Sequence, residues 1–109
     1  MKNTKKQNVL VIAVHPDDET LGCGGTLLKH AFEGDLIHWL LITNITEAKG
    51  YPKNTIKKRA KEISDVAAAY GFSSVTNLDY EPIKLGSIPF EALVNNISDR
   101  IGSIKPGII

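Results

Sequence analysis

The residues best equipped for chemistry are contiguous: His15-Pro16-Asp17-Asp18-Glu19. An imidazole at His15 and a carboxylate at Asp18 are ligand types that hold Zn²⁺ in catalytic sites, where three protein ligands leave a fourth position for water. Two ligands are therefore at hand and a third must come from elsewhere. Asp17 is a spare carboxylate, and such a group beside an activated water takes its proton as the water attacks a carbonyl. Pro16 lacks an N–H and has a fixed φ, which limits how His15 and Asp17 can point. Glu19 supports the helix start or steadies a ligand from behind. Taken alone, an acidic cluster ahead of a helix serves equally well as an N-cap and a complement to the helix dipole. The longer stretch that contains the cluster, Ala13 to Leu27, decides between the two.

The cluster follows Val9-Leu10-Val11-Ile12-Ala13-Val14, a continuous apolar run of the kind expected for a parallel strand buried on both faces. Charge begins where the run ends, at the strand's carboxyl end, where open α/β sheets build their sites. Strands and helices then alternate without linker or repeat, which predicts βαβ units. The spacing predicts a first helix over 19–33 with Leu21, Leu27, Leu28, Ala31 and Phe32 inward and Gly34 as its stop. A second strand over 36–43 leads to a second helix capped by Asn54 or Thr55 and ended by Gly71. Its apolar face is Ile56, Ala60, Ile63, Val66, Ala67 and Tyr70. A short third strand over 74–78, a third helix from Pro89 through Ile101 and a fourth strand opening at Ile108 complete the order. With right-handed crossovers this is an α/β, Rossmann-like, doubly wound parallel sheet of strand order 3-2-1-4. It forms part of one domain over 1–109, with residues 1–7 as a leader and the chain stopping at about the start of strand four. Winding reverses between strands one and four, and the crevice there receives His15, Asp17 and Asp18.

The longer context, Ala13-Val14-His15-Pro16-Asp17-Asp18-Glu19-Thr20-Leu21-Gly22-Cys23-Gly24-Gly25-Thr26-Leu27, closely resembles the signature of the LmbE-like, or PIG-L, deacetylases. Arg59-Ala60-Lys61-Glu62 followed by Tyr70-Gly71 resembles the family's second helix, and 101–109 resembles its approach to a fourth strand. The resemblance implies a hydrolase, zinc-dependent in most members, that removes the acetyl group from an N-acetylglucosamine-type sugar or glycoconjugate. It implies Zn²⁺, or another divalent metal, on His15 and Asp18, with Asp17 as general base. It also implies a third ligand, a histidine just after the fourth strand and so beyond Ile109. The 109 residues alone are then expected to bind metal weakly, to be inactive and to self-associate through the open edge of strand one. Arg59 stands where relatives carry an arginine near the sugar, and a guanidinium holds a hydroxyl, carboxylate or phosphate by a planar fork. The alternative is a solvated helix face on which Arg59 pairs with Glu62. Thr43-Asn44-Ile45-Thr46-Glu47, after the second strand, is a further candidate pocket wall. Asn44 and Thr46 depart from the acidic, glycine-containing loop of many relatives and leave the substrate open.

Composition narrows the partners. A chain of 109 residues, 42% apolar and 23% charged, has an ordinary globular balance. A net charge of +1 gives no field to steer nucleic acid or an acidic membrane, and basic and aromatic residues do not interleave. Lys2, Lys5 and Lys6 resemble the start of a signal peptide, but the apolar run that follows is short and ends in Pro16-Asp17-Asp18. A solvated leader, a cytoplasmic setting and no membrane span are expected. The single Cys23 excludes an intramolecular disulfide and reads as a small buried filler rather than a zinc ligand. Gly22, Gly24 and Gly25 lack the G-x-G-x-x-G spacing and suit close packing of the first helix rather than a dinucleotide. His30, late in a helix, and His38, inside a strand, are remote from the cluster. The expected partner is a small-molecule amino sugar or glycoconjugate; homo-oligomerisation stays open. Two other classes do as well: a metal-dependent phosphoesterase using the same ligands, and a folded, non-catalytic remnant that binds a partner through an unpaired strand edge.

Overall fold

A computed structural model describes residues 6–46, 49–82 and 84–109. Lys2 and Lys5 of the expected leader, and Glu47 of the candidate pocket wall, lie outside the described residues. The elements run β1 (Asn8–Ala13), α1 (Asp18–Phe32), β2 (Leu36–Thr43), α2 (Lys53–Tyr70), β3 (Ser74–Tyr80), a 3-10 turn (Leu85–Ser87) and α3 (Phe90–Ile104). The three strands form one parallel sheet in the order β1-β2-β3, with Val9 opposite Ile37 and Trp39 opposite Val75.

Period-two alternation divides the side chains of β1 and β2 between two faces. On one, Val9, Val11, Ala13, Ile37, Trp39 and Leu41 meet Leu27 of α1 and Ile63, Val66 and Ala67 of α2. On the other, Leu10, Leu40 and Ile42 meet Leu93, Ile97, Ile101 and Ile104 of α3. Both faces of β2 are therefore covered, which is why its sequence, Leu-Ile-His-Trp-Leu-Leu-Ile-Thr, is almost uniformly apolar. The expected helix-covered parallel sheet is present. At the free edge of β1, Ile108 forms an isolated parallel bridge with Val9, and the Leu10 N–H donates to the Ile108 carbonyl at 2.9 Å. A groove of about 280 Å³ continues along that edge, lined by Val9, Val11, Ile12, Cys23, Leu27 and Ile108.

Several sequence expectations need correction. Leu21, Leu28 and Phe32 do not face inward: they form an exposed stripe on α1, with Leu21 84% and Phe32 83% accessible. The covered stripe is Cys23, Leu27 and Ala31, spaced by four. The apolar arc of α1 is wider than the sheet can cover, so one flank stays outside. Ile12 and Val14, expected to be buried, are also exposed. On α2, Ala60 is exposed, and Arg59 shares the partly buried stripe with Ile56 and Ile63. Neither Asn54 nor Thr55 caps that helix: its N-cap is Pro52, while Gly71 ends it in the left-handed region at φ 73° as expected. β3 runs two residues further than 74–78, and α3 begins after Pro89 and runs three residues past Ile101. No helix among the described residues is long and apolar enough to cross a membrane.

Candidate active site

The exit of β1 is held from the neighbouring strand. Thr43 closes β2 fully buried, and both its N–H and its Oγ1 donate to the Val14 carbonyl, at 3.1 and 2.7 Å. His15 therefore leaves the sheet from a fixed point. The chain then turns tightly: the Asp18 N–H donates to the His15 carbonyl at 3.2 Å, and the His15 N–H donates to Asp18 Oδ2 at 3.0 Å. This reciprocal pair puts His15 Nδ1 3.7 Å from Asp18 Oδ2, with both side chains about half exposed. Ligand atoms around a tetrahedral ion stand roughly 3.4 Å apart, so the pair fits a shared cation with little adjustment. Among the described residues no third imidazole, thiol or carboxylate gathers with them.

Asp17 is the N-cap of α1 and sits at φ 100°, ψ −27°. This left-handed conformation costs a non-glycine residue about 1–2 kcal/mol. An N-cap ordinarily has an extended backbone and folds its side chain over the first N–H groups of the helix. Asp17 makes no such side-chain bond. Its carbonyl does accept from the N–H groups of Thr20 and Leu21, at 3.1 and 2.9 Å. Its own N–H donates to Glu19, whose Oε2 and Oε1 lie 3.0 and 3.2 Å away. Glu19, at the second helical position, thus takes the N-cap N–H as the third residue does in a capping box, and the exposed Asp17 carboxylate is left out of the capping. Glu19 is only 2% accessible. Burial pushes its carboxyl above the usual carboxylate range, and the hydrogen bonds it accepts pull the other way. The strain at Asp17 and the buried carboxyl of Glu19 coincide at one turn, a combination that recurs where geometry is held for function.

Arg59 Nε lies 3.9 Å from Glu62 Oε2, and its side chain is 37% accessible. It pairs with Glu62, as the helix-face reading expected, but from the partly buried side of α2 rather than from a fully solvated face. Asn44, Ile45 and Thr46 line a pocket of about 370 Å³ together with Lys53, Ile56 and Lys57; neither Arg59 nor His15, Asp17 or Asp18 is among the residues that line it. Of Gly22, Gly24 and Gly25, only Gly24 packs closely, since a Cβ there would lie 3.0 Å from Tyr70 Oη; Gly22 and Gly25 face open space. Cys23 packs against the core with non-helical angles (φ −147°, ψ 30°) that kink α1 within its glycine-rich turn.

The other histidines have structural partners. His38 bonds Ser74 Oγ at 2.7 Å and Asn8 Oδ1 at 3.1 Å, a polar rung across the sheet. His30 Nδ1 lies 2.8 Å from Asp35 Oδ2, and with Glu33 these two bring three possible ligand atoms within 4.8 Å of one another. Asp35 also accepts the Gln7 N–H at 3.0 Å, so the pair ties the α1–β2 turn to the start of β1. Sequence reasoning named Thr43 only as a candidate pocket wall and Tyr70 only as part of an apolar helix face, and missed the hydrogen bonds both make at the site. A hydroxyl ending an otherwise apolar strand was the available signal for the first. Tyr70 contacts Thr20 across fifty positions of sequence, and nothing local announces it.

Residues 10–109 match the model of the family described as PIG-L: GlcNAc-PI de-N-acetylase, and the chain belongs to that family. Among solved structures it is similar to an N,N'-diacetylchitobiose deacetylase from Pyrococcus horikoshii, at 22% identity and TM-score 0.76 over 94% of this chain and 39% of that one. The conserved protein TT1542 from Thermus thermophilus is similar at 30% identity and TM-score 0.72, over 92% and 43%. GalB, a 4-carboxy-2-hydroxymuconate hydratase from Pseudomonas putida, is similar at 20% identity and TM-score 0.70, over 92% and 44%. The chain thus spans about two fifths of these structures. The likenesses at 22% and 20% show a shared fold, and that fold serves a deacetylase in one protein and a hydratase in another. No curated protein matches the chain significantly.

Proposed function

We propose that the intact protein hydrolyses the acetamide of an N-acetylglucosamine-type sugar or glycoconjugate, releasing acetate and a free amine. The observation that carries this reading is the turn after β1, where His15 Nδ1 and Asp18 Oδ2 face one another at 3.7 Å while the Asp17 carboxylate is excused from capping. Family membership over residues 10–109 supports it. A divalent cation, zinc in the first instance, held by His15 and Asp18 would supply Lewis acidity, polarising the acetyl carbonyl and easing loss of a proton from water.

The chain's own residues do the rest. Asp17 accepts a proton from the attacking water at its carboxylate, and the protonated acid returns it to the departing amine nitrogen as the C–N bond breaks. General acid–base help of this kind is worth about 10²–10⁴-fold. Glu19 fixes the backbone that aims Asp17. Arg59 binds a hydroxyl or an anionic substituent of the sugar. The fourth strand begins at Ile108 beside β1, completing the order 3-2-1-4, and the third metal ligand comes from polypeptide beyond Ile109.

Acetate release from N-acetylglucosamine, N,N'-diacetylchitobiose and an N-acetylglucosaminyl phosphatidylinositol by the full-length protein tests the reading. Turnover of at least one substrate, lost on chelation and restored by zinc, is expected. A metal-loaded protein that releases no acetate from any of them overturns it, and water addition to a conjugated double bond without acetate release would place it with the hydratase.

A further inference from the structure

We infer that Tyr70, the last residue of α2, is a positioning residue for Asp17, acting through Thr20 and Glu19. The inference rests on Asp17 being the general base. Tyr70 Oη lies 2.9 Å from Thr20 Oγ1, and Thr20 Oγ1 lies 3.4 Å from Glu19 Oε1, the carboxylate that accepts the Asp17 N–H. A threonine hydroxyl has one proton to give. Facing a carboxylate, Thr20 donates it to Glu19, so Tyr70 is the donor to Thr20. The result is a chain of one sense, from the Tyr70 O–H through Thr20 to the Glu19 carboxylate, which the Asp17 N–H meets from the other side.

Three features of the fold hold the outer end of this chain. The Tyr70 ring is stacked on Phe72, with centroids 5.0 Å apart and planes 5° apart, and Phe72 in turn lies 5.4 Å from the buried Trp39. The phenol is thereby referred to the centre of the sheet. Gly24 has no side chain where a Cβ would stand 3.0 Å from Tyr70 Oη, so α1 can approach the hydroxyl closely. Gly71, at φ 73°, ends α2 directly after Tyr70 and turns the chain back to Phe72. Without this chain, Glu19 would rest on backbone N–H groups alone, at a turn whose next member is strained. A displacement of about 1 Å at a catalytic group can cost as much as 10²-fold in rate, so a small release at Glu19 is enough to be seen in turnover.

The test is Tyr70→Phe in the full-length protein, which keeps the ring on Phe72 and removes only the hydroxyl. Expected are unchanged metal content and melting temperature, a KM within about twofold and a kcat lower by about tenfold, the signature of an interaction that matters in the transition state. Thr20→Val should give the same loss, and the double variant no more than either alone, because one chain is cut twice. The Asp17 amide, followed by ¹H–¹⁵N NMR, should shift in both variants. Tyr80→Phe, whose hydroxyl accepts from Asn96 Nδ2 at 3.0 Å, is the control and should move neither readout. An active protein in which Tyr70→Phe leaves kcat and the Asp17 amide unchanged, or in which the two losses multiply, overturns the inference. If the amide shifts in both variants but the wild type releases no acetate from any N-acetyl sugar, the chain of bonds stands and the functional reading fails.

Discussion

The carboxylate of Glu19 takes the backbone N–H of Asp17 at 3.0 Å, and the carboxylate of Asp17 takes none of the N–H groups of the helix it begins. The two acids on either side of Asp18 have thus exchanged the usual assignment: the buried one caps and the exposed one takes no part in capping. The cost is a left-handed Asp17, which glycine would adopt without strain. Asp17→Gly is therefore expected to raise unfolding free energy by about 1 kcal/mol while lowering turnover by at least ~10²-fold. Chemical denaturation beside an acetate-release assay checks both. A destabilised Asp17→Gly would mean that the aspartate side chain supports the turn.

Thr43→Val removes one of the two bonds to the Val14 carbonyl and keeps the shape of a fully buried side chain. A loss of about 1–2 kcal/mol in stability is expected. Because Val14 precedes His15, metal affinity should weaken as well, which titration calorimetry of the full-length protein would read. Unchanged affinity would show that His15 is positioned by the turn after it rather than by the strand before it.

Much of the fold was legible because burial leaves a periodic trace. The continuous apolar run of β1 and the glycines at 34 and 71 marked their elements correctly, with Gly34 and Gly71 both at positive φ. The face of α1 was not legible. Leu21, Leu28 and Phe32 are as apolar as Leu27, and only the sheet decides which stripe is covered. Leu27→Ala should cost about 2–5 kcal/mol, and Leu21→Ala or Phe32→Ala within about 0.5 kcal/mol; thermal denaturation of the three variants would show it. Among the candidate site residues, His15 and Asp18 were legible as possible ligands by type, and the turn brings their side chains to within 3.7 Å of one another. The reversed duties of Asp17 and Glu19 did not, since they depend on a dihedral angle that sequence does not display.

Asp35 gives the stability an acid-sensitive component. The hydrogen bond from His30, then that from the Gln7 N–H, holds its carboxyl below the ordinary 3.8. A carboxyl depressed in the folded state stabilises the fold above its unfolded value and loses that contribution as pH falls through its folded value. Wild type should therefore lose melting temperature more steeply than Asp35→Asn as pH falls below about 4. Parallel slopes for the two proteins would show that Asp35 is no better held in the fold than in the unfolded chain.

In the proposed reaction the neighbouring Asp17 and Asp18 have separate duties, one as base and one as metal ligand. Metal content and acetate release, measured on the same preparations of full-length Asp17→Asn and Asp18→Ala, test it. Asp17→Asn should keep the metal and lose about 10²–10⁴-fold in turnover, whereas Asp18→Ala should lose both metal and turnover. Near-normal turnover in Asp17→Asn, or full metal content in Asp18→Ala, would contradict it.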